Sequence, residues 1–177
     1  MKLALRLLLC GALLSALLSA LPVLAQSKPA EQPAETLSAV VRVKTRILPN
    51  ARSVETLGAA REGSGVLIRD RLVLTIGYLV TEADAIEVTS AEGKSVPATL
   101  AGYDHASGFA LLRLVLPIDA KPLPIGTSGA LAERDPVMIA SYGGRESISL
   151  AYVVSRRQFS GSWEYLLDSA IFTSPPT

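Results

Sequence analysis

His105 is the only imidazole among the 177 residues, so acid–base chemistry at neutral pH has to start there. Asp104 stands beside it. Three serines precede turn-forming residues: Ser64 in Gly63-Ser64-Gly65, Ser128 before Gly129, and Ser174 before Pro175 and Pro176. Serine, histidine and a carboxylate are the parts of nucleophilic acyl transfer, in which histidine takes the serine proton and the acid orients the histidine. The spacing argues against that use. Adjacent residues on a turn do not aim a base and its orienting acid at a common nucleophile, so His105 is expected to be a solvated turn residue. The prolines after Ser174 have no N–H to offer an oxyanion. Ser64 opens a strand and Ser128 lies in a connector, and neither has a base near it. One histidine does not make a zinc cluster, which needs several His or Cys ligands, and no cofactor is indicated.

Tyr78 poses the second question. It lies near the end of the stretch "LVLTIGYLV" (Leu72 to Val80), where a strand gives way to a turn. A phenol of ordinary pKa, ~10, is ionised in about one molecule in a thousand at pH 7. Neither Ile76 nor Gly77 supplies a cation to change that, so the Tyr78 ring is expected to pack at the mouth of a barrel.

The elements that position these residues read as strands. "AVVRVKTR" (Ala39 to Arg46) alternates apolar and charged residues from Val41 onward, the period of a half-buried strand. A polar loop, "LPNARSVETLGAARE", follows it, and then come Gly65–Ile68 and Leu72–Thr75 around a charged turn. Ala85 to Tyr103 reads as two strands around Ala-Glu-Gly-Lys, with Gly93 supplying the turn. Phe109 to Leu116 is apolar enough for a central strand, and Pro117 stops it. After the Pro/Gly-rich connector "PIDAKPLPIGTSG", Pro136–Ser141, Ser147–Ser155 and Trp163–Asp168 are the remaining candidates. Short strands with frequent turn signals predict an all-β sandwich or barrel. The only helical signal after the first strands is one turn at "TEADA", following Val80.

The chain opens with Lys2 and Arg6, an apolar run from Leu7 to Leu21, and a small-residue site at Val23-Leu24-Ala25. These are the parts of a secretory signal peptide, with cleavage before Gln26 and export to a periplasmic or extracellular space. The alternative is an uncleaved anchor, since the run approaches the ~18–20 residues that span a bilayer. Cys10 lies inside the run behind the bulky Leu9, a poor context for lipid attachment, and beyond it there is no further cysteine and hence no disulfide. Of 17 basic residues two belong to this segment, leaving 15 against 16 acidic ones. A surface so nearly neutral argues against nucleic acid and acidic membranes as principal partners. Membrane contact then reduces to the signal segment, if it is uncleaved. The polar "QSKPAEQPAET" that follows is expected to be a flexible lead-in that buries nothing. About 150 residues remain, enough for one substantial core.

Four stretches then fall into register with a known family. They are "GSGVLI" with "LVLTIGYLV", then "IEVTSAEGKSVPATLAGYDHASGFALLRL", "LPIGTSGALAERDPVMIASYG" and "LLDSAIF". Over residues 38–174 the chain resembles the first part of a trypsin-like serine protease domain of the bacterial Deg/HtrA kind. The resemblance implies two β-barrels with the active site in the cleft between them. It implies the organisation 1–25 signal peptide, 26–37 lead-in, 38–118 N-terminal barrel and 119–177 partial C-terminal barrel. The family's Thr-x-x-His-Val-Val context corresponds to Thr75 through Val80, which puts Tyr78 at the histidine position. Its Asp-x-x-Thr-Asp-Leu-Ala-Val-Leu segment corresponds to Asp104 through Leu112, which puts Gly108 at the aspartate position. The nucleophile would follow in a Gly-x-Ser-Gly context, and "DSAIFTSPPT" reaches Thr177 without one. No catalytic residue carries over.

Three functions compete on this reading. The first is a pseudoprotease or peptide-binding module, taking an extended peptide in the inter-barrel cleft or a protein strand at an open sheet edge. The second is a serine endopeptidase whose nucleophile lies beyond Thr177, in a fragmentary or truncated sequence. The third is a structural envelope module that assembles through its open edge.

Overall fold

The structure, a computed structural model, describes residues 33–161 and 165–175. The expected signal peptide, the first part of the lead-in and Trp163 lie outside the described residues. The end of the lead-in differs from expectation. Residues Pro33–Ser38 form a short helix, α1, and Leu37 is buried. An apolar side chain next to the first strand gains more from burial than a flexible tether would retain in entropy.

β1 (Val40–Ile47) has the expected alternation: Val41, Val43, Thr45 and Ile47 point inward, while Lys44 and Arg46 point out to Glu62 and Asp84. The polar stretch after it is more ordered than its composition suggests. It contains a single helical turn, α2 (Val54–Leu57), and its last residues already belong to β2 (Ala60–Arg69). β3 (Leu72–Ile76) follows across a turn in which Arg71 takes φ 54°. The helical turn expected at "TEADA" falls earlier, at Gly77–Leu79, because Ala83–Thr89 forms β4. Pairing of β4 with β1, from Thr89 opposite Arg42 to Ala83 opposite Ile47, overrides the local helical preference.

β5 (Ser95–Asp104) and β6 (Phe109–Leu114) complete the first unit. β6 stops two residues before the expected end, since its partner β3 runs out opposite Arg113. Strand order β1-β2-β3-β6-β5-β4 closes a six-stranded barrel. Its interior is an aliphatic cluster built from Val41, Val43, Leu67, Val73, Val88, Leu112 and Leu114.

Beyond the connector, β7 (Pro136–Ala140), β8 (Ile148–Gly161) and β9 (Tyr165–Ser174) form an antiparallel three-stranded sheet in that order. β8 and β9 are longer than the sequence pattern indicates, because their mutual pairing extends from Tyr152–Ser174 to Gly161–Tyr165 across two bulges. Within this sheet only Ala151 and Val153 are buried among the described residues. The architecture is therefore all-β, with one closed barrel and part of a second. No helix among the described residues is long and apolar enough to cross a membrane.

Candidate functional site

β3 delivers Tyr78 to the turn that follows it. The ring is half-buried and packs against the barrel core, as the sequence reading expects. What holds the turn is a residue that reading missed. Arg61, on β2, is buried at 5% relative exposure. One guanidinium nitrogen donates to the Tyr78 carbonyl and, at 3.1 Å, to the Thr81 carbonyl. The other donates to Ser53 Oγ at 2.6 Å and the Ser53 carbonyl at 3.4 Å, and Nε reaches the Gly58 carbonyl at 3.4 Å. Burial lowers the Arg61 pKa from its ordinary value, and the neighbouring Glu82 and Tyr78 work in the opposite direction. A cation thus does stand near Tyr78, brought from another strand, with its donors committed to the backbone around it.

The second half of the site is the turn between β5 and β6. Asp104 accepts from the Ala106 N–H at 3.1 Å and from Ser107 Oγ, and its own carbonyl accepts from the Gly108 N–H at 2.8 Å. Ser107 is another residue that the sequence reading passed over, although a hydroxyl three residues after an aspartate is a turn-closing pattern. These hydrogen bonds, from Ser107 first and Ala106 next, hold the Asp104 carboxyl below its usual range. The carboxylate closes the turn instead of orienting His105. His105 is exposed and lies against Tyr103, with ring centroids 4.5 Å apart. It is the solvated turn histidine that the sequence predicts.

Gly108 is buried with φ +72°, a left-handed conformation that L side chains rarely adopt. A Cβ there would lie 2.8 Å from the Tyr165 ring, closer than real Cβ atoms approach. The Gly108 carbonyl accepts from the Gly77 N–H at 2.7 Å, which ties this turn to the one carrying Tyr78. Positions 78 and 108 are therefore brought together, as an active site would require. At 108, however, the aromatic ring from β9 fills the space beside the backbone.

The candidate serines are dispersed. Ser64 Oγ accepts from the Tyr142 N–H at 3.0 Å, and Arg42 lies 5.0 Å over the Tyr142 ring, a joint between barrel and sheet. The Ser128 carbonyl accepts from Arg156, and Ser174 Oγ donates to the Pro175 carbonyl at 3.3 Å. None of the three is hydrogen-bonded to His105. Among the described residues no group of three or more His, Cys, Asp or Glu is placed to hold a metal ion.

Two of the surface depressions are lined entirely by described residues. The larger, about 680 Å³, lies on the three-stranded sheet between Glu133, Arg134, Tyr152 and Val154, and does not include residues next to position 78 or 108. The smaller, about 510 Å³, is an open groove flanking Gly108. Ser107, Phe109 and Ser128 form one wall, and residues 166–171 of β9 form the other. Phe109 and Leu166 are 43% and 46% exposed in it. The Leu166 N–H donates to the Ala106 carbonyl at 3.0 Å and closes one end.

A closed β-barrel joined to part of a second, with a cleft flanked by turns at 77–79 and 104–108, is the frame of a chymotrypsin-like domain. Residues 63–176 match the family model of the trypsin-like peptidase domain, and the chain belongs to that family. Among solved structures it is similar to the HtrA-type protease AlgW, in a serine-to-alanine form with a tripeptide, at 18% identity and a TM-score of 0.61. The match covers 77% of this chain and 42% of that one, so the chain spans less than half the length of this solved relative. At that identity the likeness establishes the fold. No curated protein matches.

Proposed function

We propose that this chain is an exported, non-catalytic member of the trypsin-like peptidase family that holds an extended peptide or strand without cleaving it. The reading rests on position 108. The family resemblance assigns the orienting acid there, and this chain has a glycine in left-handed conformation with the Tyr165 ring against it. A carboxylate introduced at that point has to displace Tyr165 and adopt a strained backbone. Loss of one triad member leaves only a residual ~10³–10⁴-fold rate over water, too little for a working protease. Tyr78 at the base position supports the same reading.

The groove beside Gly108 suits an extended peptide. Phe109 and Leu166 offer apolar contact, three serine hydroxyls line it, and β9 is an edge strand to which a peptide can add. Export to the periplasm or beyond is proposed from residues 1–25 alone. The test combines turnover of fluorogenic casein, labelling by a fluorophosphonate, and binding of a fluorescein-labelled casein peptide. The expected result is saturable binding, weakened by Phe109→Ala, with no turnover and no label. Turnover abolished by replacing a single serine would overturn the proposal in favour of the endopeptidase. Absence of both turnover and binding would leave the structural module.

A further inference from the structure

The contact between Tyr165 and Gly108 interrupts the groove that flanks it. Ala106, Ser107 and Phe109 line the barrel side and residues 166–171 line the sheet side, whereas Gly108 and Tyr165 do not. The ring thus covers the barrel residue that would otherwise continue the wall. It is seated between two glycines. A Cβ on Gly108 would lie 2.8 Å from the ring, and one on Gly161 would lie 2.3 Å from it. The slot therefore depends on both positions lacking a side chain. Behind it the Gly108 carbonyl accepts from the Gly77 N–H at 2.7 Å, so the slot backs onto the turn that carries Tyr78. The seat lies at the end of its sheet. Tyr165 is the first residue of β9, and its pair with Gly161 is the last of the β8–β9 ladder. Strand ends of this kind open at much lower cost than a core. The ring is half-buried, and its aromatic neighbour Phe159, with centroids 6.3 Å apart, belongs to the same sheet.

We propose that Tyr165 is an autoinhibitory latch, its ring closing the groove at Gly108 until an extended peptide displaces it. The inference rests on the reading that this groove takes a peptide. With the ring withdrawn, the Gly108 backbone is open, and a residue without Cβ admits a peptide as closely as it admits the ring. Ring and peptide then compete for one surface. Full binding requires the open form, so the apparent dissociation constant rises by the reciprocal of the open fraction. A ring seated in about nine molecules of ten weakens binding about tenfold.

The experiment titrates the full chain and three variants against the fluorescein-labelled casein peptide by fluorescence anisotropy, with circular dichroism as a check on folding. Tyr165→Ala removes the ring and should bind about tenfold more tightly than the wild type. Gly161→Ala keeps the ring but pushes its far edge out of the slot from the opposite strand, and should also tighten binding. Gly161 is not in a left-handed conformation, so the strain of that change falls on the ring. Tyr165→Phe keeps both ring and slot and should match the wild type. Weaker binding by Tyr165→Ala would make the ring a wall of the site and overturn the latch. Equal affinities in all four proteins would also overturn it, while leaving the peptide reading in place. Binding confined to Tyr165→Ala and Gly161→Ala would mean a latch fully shut in the wild type. No binding by any of the four would overturn the peptide reading and the latch with it.

Discussion

The barrel and the sheet are made of the same kinds of residue and end in opposite states. In the barrel six strands close on one another, so every strand has two neighbours and the inward row of each is covered. Among the described residues the sheet stays open, with β7 and β9 each paired on one side, and Met138, Leu150, Tyr152 and Val154 are left exposed. Valine and leucine do not by themselves make a core. They make one where the topology gives their side chains something to meet, and otherwise they make a surface. Position 108 sits where these two regions touch, with a barrel turn on one side and the first residue of β9 on the other.

That contrast is broken most strongly by truncating one leucine in each region. Leu112 is fully buried in the barrel, and Leu112→Ala should cost about 2–5 kcal/mol in urea unfolding. Leu150→Ala, at 67% exposure, should change stability by about 0.5 kcal/mol or less. Equal effects would mean that the sheet has a covered core after all. Gly108→Asp tests the seam between the regions. Strain at φ +72° and the contact with Tyr165 together should cost about 1–3 kcal/mol, and adding Tyr165→Ala should recover part of it. If Gly108→Asp were neutral, the site could accept its missing acid, and the reading of position 108 would fall.

The smallest expected effect is on pH dependence. The Asp104 carboxyl is held below its usual range by Ser107 and Ala106, so its contribution to stability is present at neutral pH. It should be lost as pH falls through the lowered folded-state value, where protonation removes the acceptor. Glu82, lowered by its hydrogen bonds from Ser53, has the same sign. Comparing acid unfolding of the wild type with Ser107→Ala isolates the Asp104 part. The variant should lose less stability on acidification, and an unchanged profile would remove that turn from the account.

Much of the fold was legible because strand periodicity is local. The alternation in β1, the paired runs of β2 and β3, and the Gly93 turn between β4 and β5 all come from residues within a few positions of one another. What was not legible depended on distant chain. An arginine in "GAARE" reads as part of a polar loop, since nothing nearby announces that the carbonyls of residues 53, 58, 78 and 81 will converge on it. The "TEADA" turn was misplaced for the same reason, because β1 is about forty residues upstream of its partner. At the site, the sequence alone determined that positions 78 and 108 carry a phenol and no side chain, and that the single histidine stands on a turn next to an aspartate. Only the tertiary structure decided that the Tyr165 ring, 57 residues away, would fill the space beside Gly108, and that four apolar residues would be left exposed. Composition and spacing specify which face of a strand is apolar, whereas what that face meets is set by the long-range closure of the sheet.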